Sequence, residues 1–265
     1  MKIYKREELR ESAGDLMLFY GPAGVGKSVT TIQTAKDPIL YIMVEPRSVE
    51  KFVVASGRED VDIDFVFYEG FESLIEFVSK KENFERYNTI VVDSISHLIA
   101  ISLSDEIMEE GYDALDAKSK RGIDKPLTMR AKMSQEGYGT LGNSMLRFTN
   151  CLSMLSQQKK TVVCLARLEE NPKYNRALSA APSLKGQEYS KHMQGFFDFI
   201  GLCESRTDAE GNVVYPPVIS FEGDGSFMCK WTGKRPEGGV QNRVLNVQKI
   251  LDVSYGKMNG KSKKA

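Results

Sequence analysis

The sequence predicts an α/β fold: a mostly parallel twisted sheet flanked by helices, with antiparallel hairpins at its C-terminal edge. Three observations carry this expectation. Short apolar runs of strand character alternate with helical stretches through the first two thirds of the chain. A glycine-rich loop joins the first apolar run to the first helical stretch. Beyond residue 198 the helices give way to short strands separated by turn residues.

Taken in order, residues 1–13 are a polar lead-in. Leu16-Met17-Leu18-Phe19-Tyr20 is an apolar run short enough for a buried strand, and Ser28 to Lys36 suits a helix. Pro38 punctuates the start of the next strand, Ile39 to Val44, and Val61 to Tyr68 begins with strand-like alternation. Phe71, Leu74, Ile75 and Val78 recur at i, i+3, i+4 and i+7, one apolar stripe on a helix. Thr89-Ile90-Val91-Val92 runs into Asp93 as a buried strand, and Ser94 to Glu110 is helical in pattern. From Gly111 to Gln135 the pattern breaks, and the cationic stretch reads as a mobile loop or a broken helix. A helix over Thr140 to Gln158 and a strand over Thr161 to Ala166 follow, then a second polar segment, 168–188, with Pro172, Pro182 and Gly186. Two hairpins are expected after that. One pairs Asp198–Glu204 with Val213–Tyr215, the other Val218–Phe221 with Ser226–Trp231 around Glu222-Gly223-Asp224-Gly225. With no linker or repeat in view, 14–250 reads as one domain and 251–265 as a basic flexible tail.

Composition narrows the function classes. Lys+Arg and Asp+Glu balance at 36 each in 265 residues, so polyanion binding must come from local patches. Cys151, Cys164, Cys203 and Cys229 lack zinc spacing, and Cys164 and Cys203 sit in apolar runs; a reducing cytosol is expected. No apolar run is long enough for a membrane span and Met1 to Ser12 is charged, so the expectation is a cytoplasmic protein with no membrane partner.

The chemistry centres on Gly21-Pro22-Ala23-Gly24-Val25-Gly26-Lys27-Ser28, which fits G-x-x-x-x-G-K-[ST] between a strand and a helix. The glycines allow backbone N–H groups to approach phosphates, Lys27 adds a charge, and the Ser28 hydroxyl can ligate Mg²⁺. The helix starting through Val29 turns its positive end to the same anion. These nine residues are the expected binding residues for a nucleoside triphosphate, with ATP and Mg²⁺ as cofactors. Asp93, at the tip of a buried strand, suits the Walker B role of holding the metal's water shell, or else serves as the N-cap of the following helix. Glu45 ends the strand that follows the phosphate-loop helix. It can activate the attacking water, or it is a surface glutamate before the Pro46 turn. Asp93 is followed by Ser94, so the adjacent Asp-Glu pair of many such ATPases is missing.

The order of phosphate loop, strand ending in Glu45, strand ending in Asp93-Ser94, strand Thr161–Ala166 and Gly186-Gln187 resembles the RecA-type P-loop NTPases. Among these it is most similar to the phage-encoded AAA-domain nucleotide-binding proteins, small RecA-core single-strand annealing proteins; the resemblance covers roughly residues 14 to 235. It implies a RecA-like ATPase core acting on single-stranded DNA during recombination, often as an oligomer, in the host cytoplasm if phage-encoded. Carried over by position, Lys27 and Ser28 hold phosphate and Mg²⁺, Asp93 the metal and Glu45 the water. The resemblance also implies a polar sensor at the end of the fourth core strand, commonly Gln or His. Here Arg167 stands near that place, as a sensor or as an ordinary ion-pair residue.

In RecA-type cores the loops after the third and fourth strands grip DNA. The first matches 118–132, with Lys118, Lys120, Arg121, Lys125, Arg130 and Lys132. The second matches 168–188, with Lys173, Tyr174, Arg176 and Lys185. Their cations can neutralise phosphates and Tyr174 can stack on a base, or the loops simply face water. Lys230, Lys234 and Arg235 are candidates for a cation donated to a neighbouring subunit's γ-phosphate, or form a plain edge-strand face. Three functions follow. The first is a DNA-dependent ATPase for annealing or strand exchange, forming a ring or filament, with a single-stranded DNA-binding protein as a further expected partner. The second is a low-turnover helicase loader or recombination mediator, and the third a small-molecule phosphotransferase.

Overall fold

The computed structural model describes residues 14–110 and 132–257. In chain order, β1 (Leu16–Gly21) leads through a loop into α1 (Lys27–Thr34), and β2 (Ile39–Met43) into α2 (Val49–Ser56). β3 (Ile63–Phe67) is followed by α3 (Phe71–Ser79), and β4 (Thr89–Asp93) by α4 (Ile95–His97). A π-helical stretch over Leu98–Ser102 joins α4 to α5 (Leu103–Glu110). The long α6 (Gln135–Ser156) returns to β5 (Thr161–Glu170), and β6 (Ala180–Pro182) and α7 (Gln187–His192) follow. Then come β7 (Phe199–Thr207), β8 (Val213–Ser220), β9 (Lys230–Trp231), β10 (Arg243–Val244) and α8 (Val247–Ser254).

The main sheet runs β10-β8-β7-β1-β5-β4-β2-β3. From β7 to β3 every neighbouring pair is parallel, while β8 and β10 add antiparallel strands at one edge. This is the expected α/β architecture, and β1 shows why the strands read as unbroken apolar runs. Leu16, Leu18 and Tyr20 face one core, with Leu74 of α3, Ile107 of α5, Phe148 of α6 and Tyr189 of α7. Met17 and Phe19 face the other, with Ile32 of α1 and Ile250 of α8. A strand covered on both faces needs apolar side chains at every position. The chain leaves β1 for the β2 side of the sheet and later returns to β7 on the other side. The C-terminal end of β1 is therefore a topological switch point, where open α/β sheets place ligands.

Four boundaries differ from the sequence expectation. α6 begins at Gln135 rather than Thr140, because the Ser134 hydroxyl accepts the Gly137 N–H at 3.0 Å and caps the helix there. The 168–188 segment is not all loop: β5 continues to Glu170 and pairs antiparallel with β6, leaving 171–179 as the connection. The second hairpin does not form. β8 runs on to Ser220 and takes β10 as its outer partner, while β9 pairs with β7, Trp231 opposite Phe199. Trp231 packs edge-on against Phe199 and Phe221, centroids 5.0 and 5.2 Å apart, and this aromatic cluster outweighs the local turn signal. Finally, α8 carries through residue 250 to Ser254, and the Tyr255 hydroxyl bonds Asp15 at 3.0 Å, so the domain does not stop at 250. The lead-in 1–13, most of the first cationic segment and the tail from 258 lie outside the described residues.

Candidate nucleotide-binding site

β1 delivers Gly21 to the sheet's C-terminal edge, beside Arg167 of β5, and the loop 22–26 turns back into α1. β7 passes so close to Gly21 that a side chain there would collide with the Cys203 carbonyl. Gly26, the N-cap of α1, has φ +99°, and a Cβ on it would lie 2.9 Å from the Tyr215 ring. No side chain caps α1 and its first turn carries no acid, so its N–H groups and dipole are left to an external anion. The Lys27 ammonium donates to the carbonyls of Gly21 (2.9 Å) and Pro22 (2.8 Å). Burial lowers its pKa, against the pull of the nearby Cys203 and Asp93.

The parallel register lays β2, β4, β5 and β1 side by side, so their C-terminal residues converge. The Ser28 hydroxyl donates to Asp93 Oδ2 at 2.7 Å, and the buried Tyr41 hydroxyl donates to the same oxygen at 2.6 Å. Burial and the Asp93 carboxylate raise the Tyr41 pKa, so its proton stays in that bond. Ser94, not Asp93, caps the next helix, accepting the His97 N–H at 3.2 Å. That removes the capping role for Asp93 and leaves its carboxylate facing Ser28.

Glu45 follows β2, and the chain there bonds to β4 through Val44 N–H to the Asp93 carbonyl at 2.8 Å. Its carboxylate is buried, not a surface group, and accepts from three donors. Ser94 Oγ and Arg167 Nη2 each donate to Oε1 at 2.8 Å, and Arg47 donates to Oε2. Burial works to raise the Glu45 pKa, but the Ser94 hydroxyl and the Arg47 and Arg167 guanidinium groups prevail and hold it below the ordinary carboxylate value. His97 Nδ1 stands 3.9 Å from Oε1; burial lowers the His97 pKa, which keeps the ring neutral at pH 7.

A cleft of about 490 Å³ joins these groups: Gly24, Gly26, Lys27, Ser28, Glu45, Asp93 and Arg167 all line it, within the size range of small-molecule sites. Among the described residues no cluster of three or more His, Cys, Asp or Glu could hold a metal alone. One carboxylate beside one hydroxyl nevertheless fits Mg²⁺, which keeps several waters and takes the rest of its oxygens from phosphate.

A family model described as AAA domain matches residues 14–249. The chain belongs to this AAA-domain family. No curated protein matches the chain. Membership makes the domain a nucleotide-binding ATPase type, and the matched span takes in the whole cleft.

The cleft of this AAA domain also contains residues that the sequence did not reveal. Arg47 follows Glu45 by two positions, and that spacing was the one available signal. Tyr41 is hidden inside an apolar strand. Tyr215 and Pro216 come from β8; the Tyr215 hydroxyl bonds the Gly24 carbonyl at 3.2 Å across 191 positions of sequence, which no local pattern announces.

The other predicted residues lie elsewhere. Lys118, Lys120, Arg121, Lys125 and Arg130 fall outside the described residues. Lys132 is described and engaged. Lys173 and Arg176 are exposed on the 171–179 connection, whereas Tyr174 is partly buried, packed against the core with its hydroxyl buried. Lys185 bonds Ser104 Oγ at 3.1 Å. Lys230 donates to the Gln194 carbonyl at 3.1 Å and Arg235 pairs with Glu222, and neither lines the cleft. Lys234 and Arg235 line a second cavity beside β10 and α8. Among the described residues no helix is long and apolar enough to cross a membrane.

Proposed function

We propose that this AAA domain is a RecA-like ATPase that hydrolyses ATP with Mg²⁺ and acts on single-stranded DNA in recombination, by annealing or strand exchange. The observation that carries the ATPase reading is a carboxylate, Glu45, one strand over from Asp93 and in the same cleft as Lys27 and Ser28. The phosphate-loop N–H groups and Lys27 bind the β- and γ-phosphates. Ser28 and Asp93 hold Mg²⁺, which when bound neutralises charge on those phosphates. Glu45 orients a water and takes its proton as the water oxygen bonds to the γ-phosphorus. The bond from that phosphorus to the bridging oxygen breaks, and ADP and phosphate leave.

Support for the DNA reading is the position of Lys173 and Arg176, exposed on the excursion that continues from the strand bearing Arg167. In this reading the protein works as a ring or filament of identical subunits. Lys230, Lys234 or Arg235 then serves a neighbour's γ-phosphate, and a single-stranded DNA-binding protein is a natural partner on the same strand. The low-turnover loader or mediator also has an observation in its favour, because three donors already occupy Glu45. One pair of measurements tests these readings. Glu45→Gln should lower ATP turnover by about a hundredfold or more while ATP still binds, as expected for loss of a general base; unchanged turnover removes Glu45 from the chemistry. Labelled oligonucleotides should bind more tightly with ATP than without, and no binding at low salt would defeat the DNA assignment.

A further inference from the structure

Glu45 sits deeper than its partners. Its side chain is 6% exposed, against 40% for Arg47 and 48% for Arg167, and all three line the phosphate cleft. The carboxylate thus lies at the wall with a guanidinium on each oxygen and the Ser94 hydroxyl sharing Oε1. A buried carboxylate must find donors, and these arginines supply them. The same bonds leave it poorly placed to accept a proton from water, since three donors take up most of its lone pairs and two positive charges weaken it as a base.

We propose that Arg47 and Arg167 form a latch on Glu45 that the terminal phosphate of a nucleoside triphosphate opens. This rests on the ATPase reading above and adds to it a role for Arg47 and a reason for the enzyme to wait for its substrate. Both guanidinium groups are half exposed on the open side of the cleft that holds Lys27 and Ser28. A γ-phosphate entering there offers more charge than one carboxylate and several oxygens in the geometry a guanidinium fork prefers. The arginines exchange one anion for the other, and Glu45 keeps the Ser94 hydroxyl and becomes free to hold water. A diphosphate ends short of the arginines, so the latch stays shut. Arg47 is then a phosphate-binding residue, Glu45 its holder in the resting state, and discrimination of triphosphate from diphosphate follows from the exchange.

The test is equilibrium binding of a non-hydrolysable ATP analogue and of ADP, by calorimetry, to wild type, Glu45→Gln, Arg47→Ala and Arg47→Lys, each first shown to unfold at a normal denaturant midpoint. Glu45→Gln keeps the shape but weakens the hold on both arginines, so analogue affinity should rise severalfold while ADP affinity stays put. Arg47→Ala should lower analogue affinity roughly tenfold with ADP unchanged, as for loss of one charge-assisted bond. Arg47→Lys, which keeps charge but not the fork, should fall between. If Glu45→Gln leaves analogue affinity unchanged or weakens it, or if the Arg47 variants move analogue and ADP equally, the latch is overturned while nucleotide binding stands. If wild type binds neither ligand, the ATPase reading falls and the latch with it.

Discussion

Tyr41→Phe removes one oxygen from the floor of the cleft and should report whether Asp93 is held for a metal. The Tyr41 side chain is fully buried, and its hydroxyl and that of Ser28 both bond Asp93 Oδ2. Among the described residues that leaves Oδ1 without a hydrogen bond. Hydrogen bonds to a charged group contribute roughly 1.5–3 kcal/mol. Ser28 retains its bond in the variant and the ring keeps its packing against Phe65, so the lower end applies: about 1.5 kcal/mol, or roughly 3–6 °C in melting temperature. Groups that orient a metal ligand change metal affinity by ~10–100-fold when lost. The Mg²⁺ concentration for half-maximal ATP binding should therefore rise about tenfold in Tyr41→Phe. The assays are urea unfolding and Mg²⁺ titration of ATP binding, each repeated in an Asp93→Asn background to isolate the coupling. A coupling energy below about 0.5 kcal/mol, together with an unchanged Mg²⁺ requirement, would refute the argument that the Tyr41 hydroxyl positions Asp93.

Three further outcomes are expected. Gly26→Ala forces an L-residue to φ +99° and drives its Cβ against the Tyr215 ring, so nucleotide affinity should fall sharply in calorimetry, with a stability loss of about 1–2 kcal/mol from the backbone alone. Asp15 has its pKa raised to about 6 by burial and the neighbouring Asp198 carboxylate, against the Tyr255 hydrogen bond. The folded state thus holds this proton more tightly than the unfolded chain. Its stabilisation is full below pH ~4 and is lost as pH rises through about 6, by at most ~3 kcal/mol. Asp15→Asn should flatten that part of the stability–pH curve in denaturant melts. Replacing Lys173 and Arg176 together by alanine should weaken single-strand binding and reduce the salt slope of log affinity by about 0.7 per lost phosphate contact, measured by anisotropy across a salt series.

The parts of the site visible in the sequence are those that one short stretch encodes. Gly21 to Ser28 is a loop whose glycines, cation and hydroxyl lie next to one another in the chain, and Asp93 and Glu45 each end an apolar run, which marks them as strand-tip residues. Sheet partners are chosen differently. The Glu222–Gly225 turn has the composition of a hairpin, but β8 takes its register from β7 on one side and from the two-residue β10 on the other. Arg243 and Val244 of β10 are both exposed and show no periodicity that would mark a strand. Tyr41 is harder still: inside Ile39–Met43, where every residue is buried, a tyrosine looks like one more core side chain until its hydroxyl is found on Asp93.

The nucleotide cleft owes its shape to the order of strands more than to any one motif. β5 lies between β1 and β4 and carries the exposed Arg167, while β2 lies beyond β4 and is followed two residues later by the buried Glu45. In that order Arg167 and Glu45 approach each other from strands 122 positions apart in sequence. Reversing the charges on this pair therefore separates two roles for it. If the ion pair only supported the fold, Glu45→Arg with Arg167→Glu would restore stability and function together. If the carboxylate must face the water and the guanidinium the phosphate, the swap can restore the unfolding midpoint but not turnover, because the two strand tips occupy different positions relative to Lys27 and Ser28.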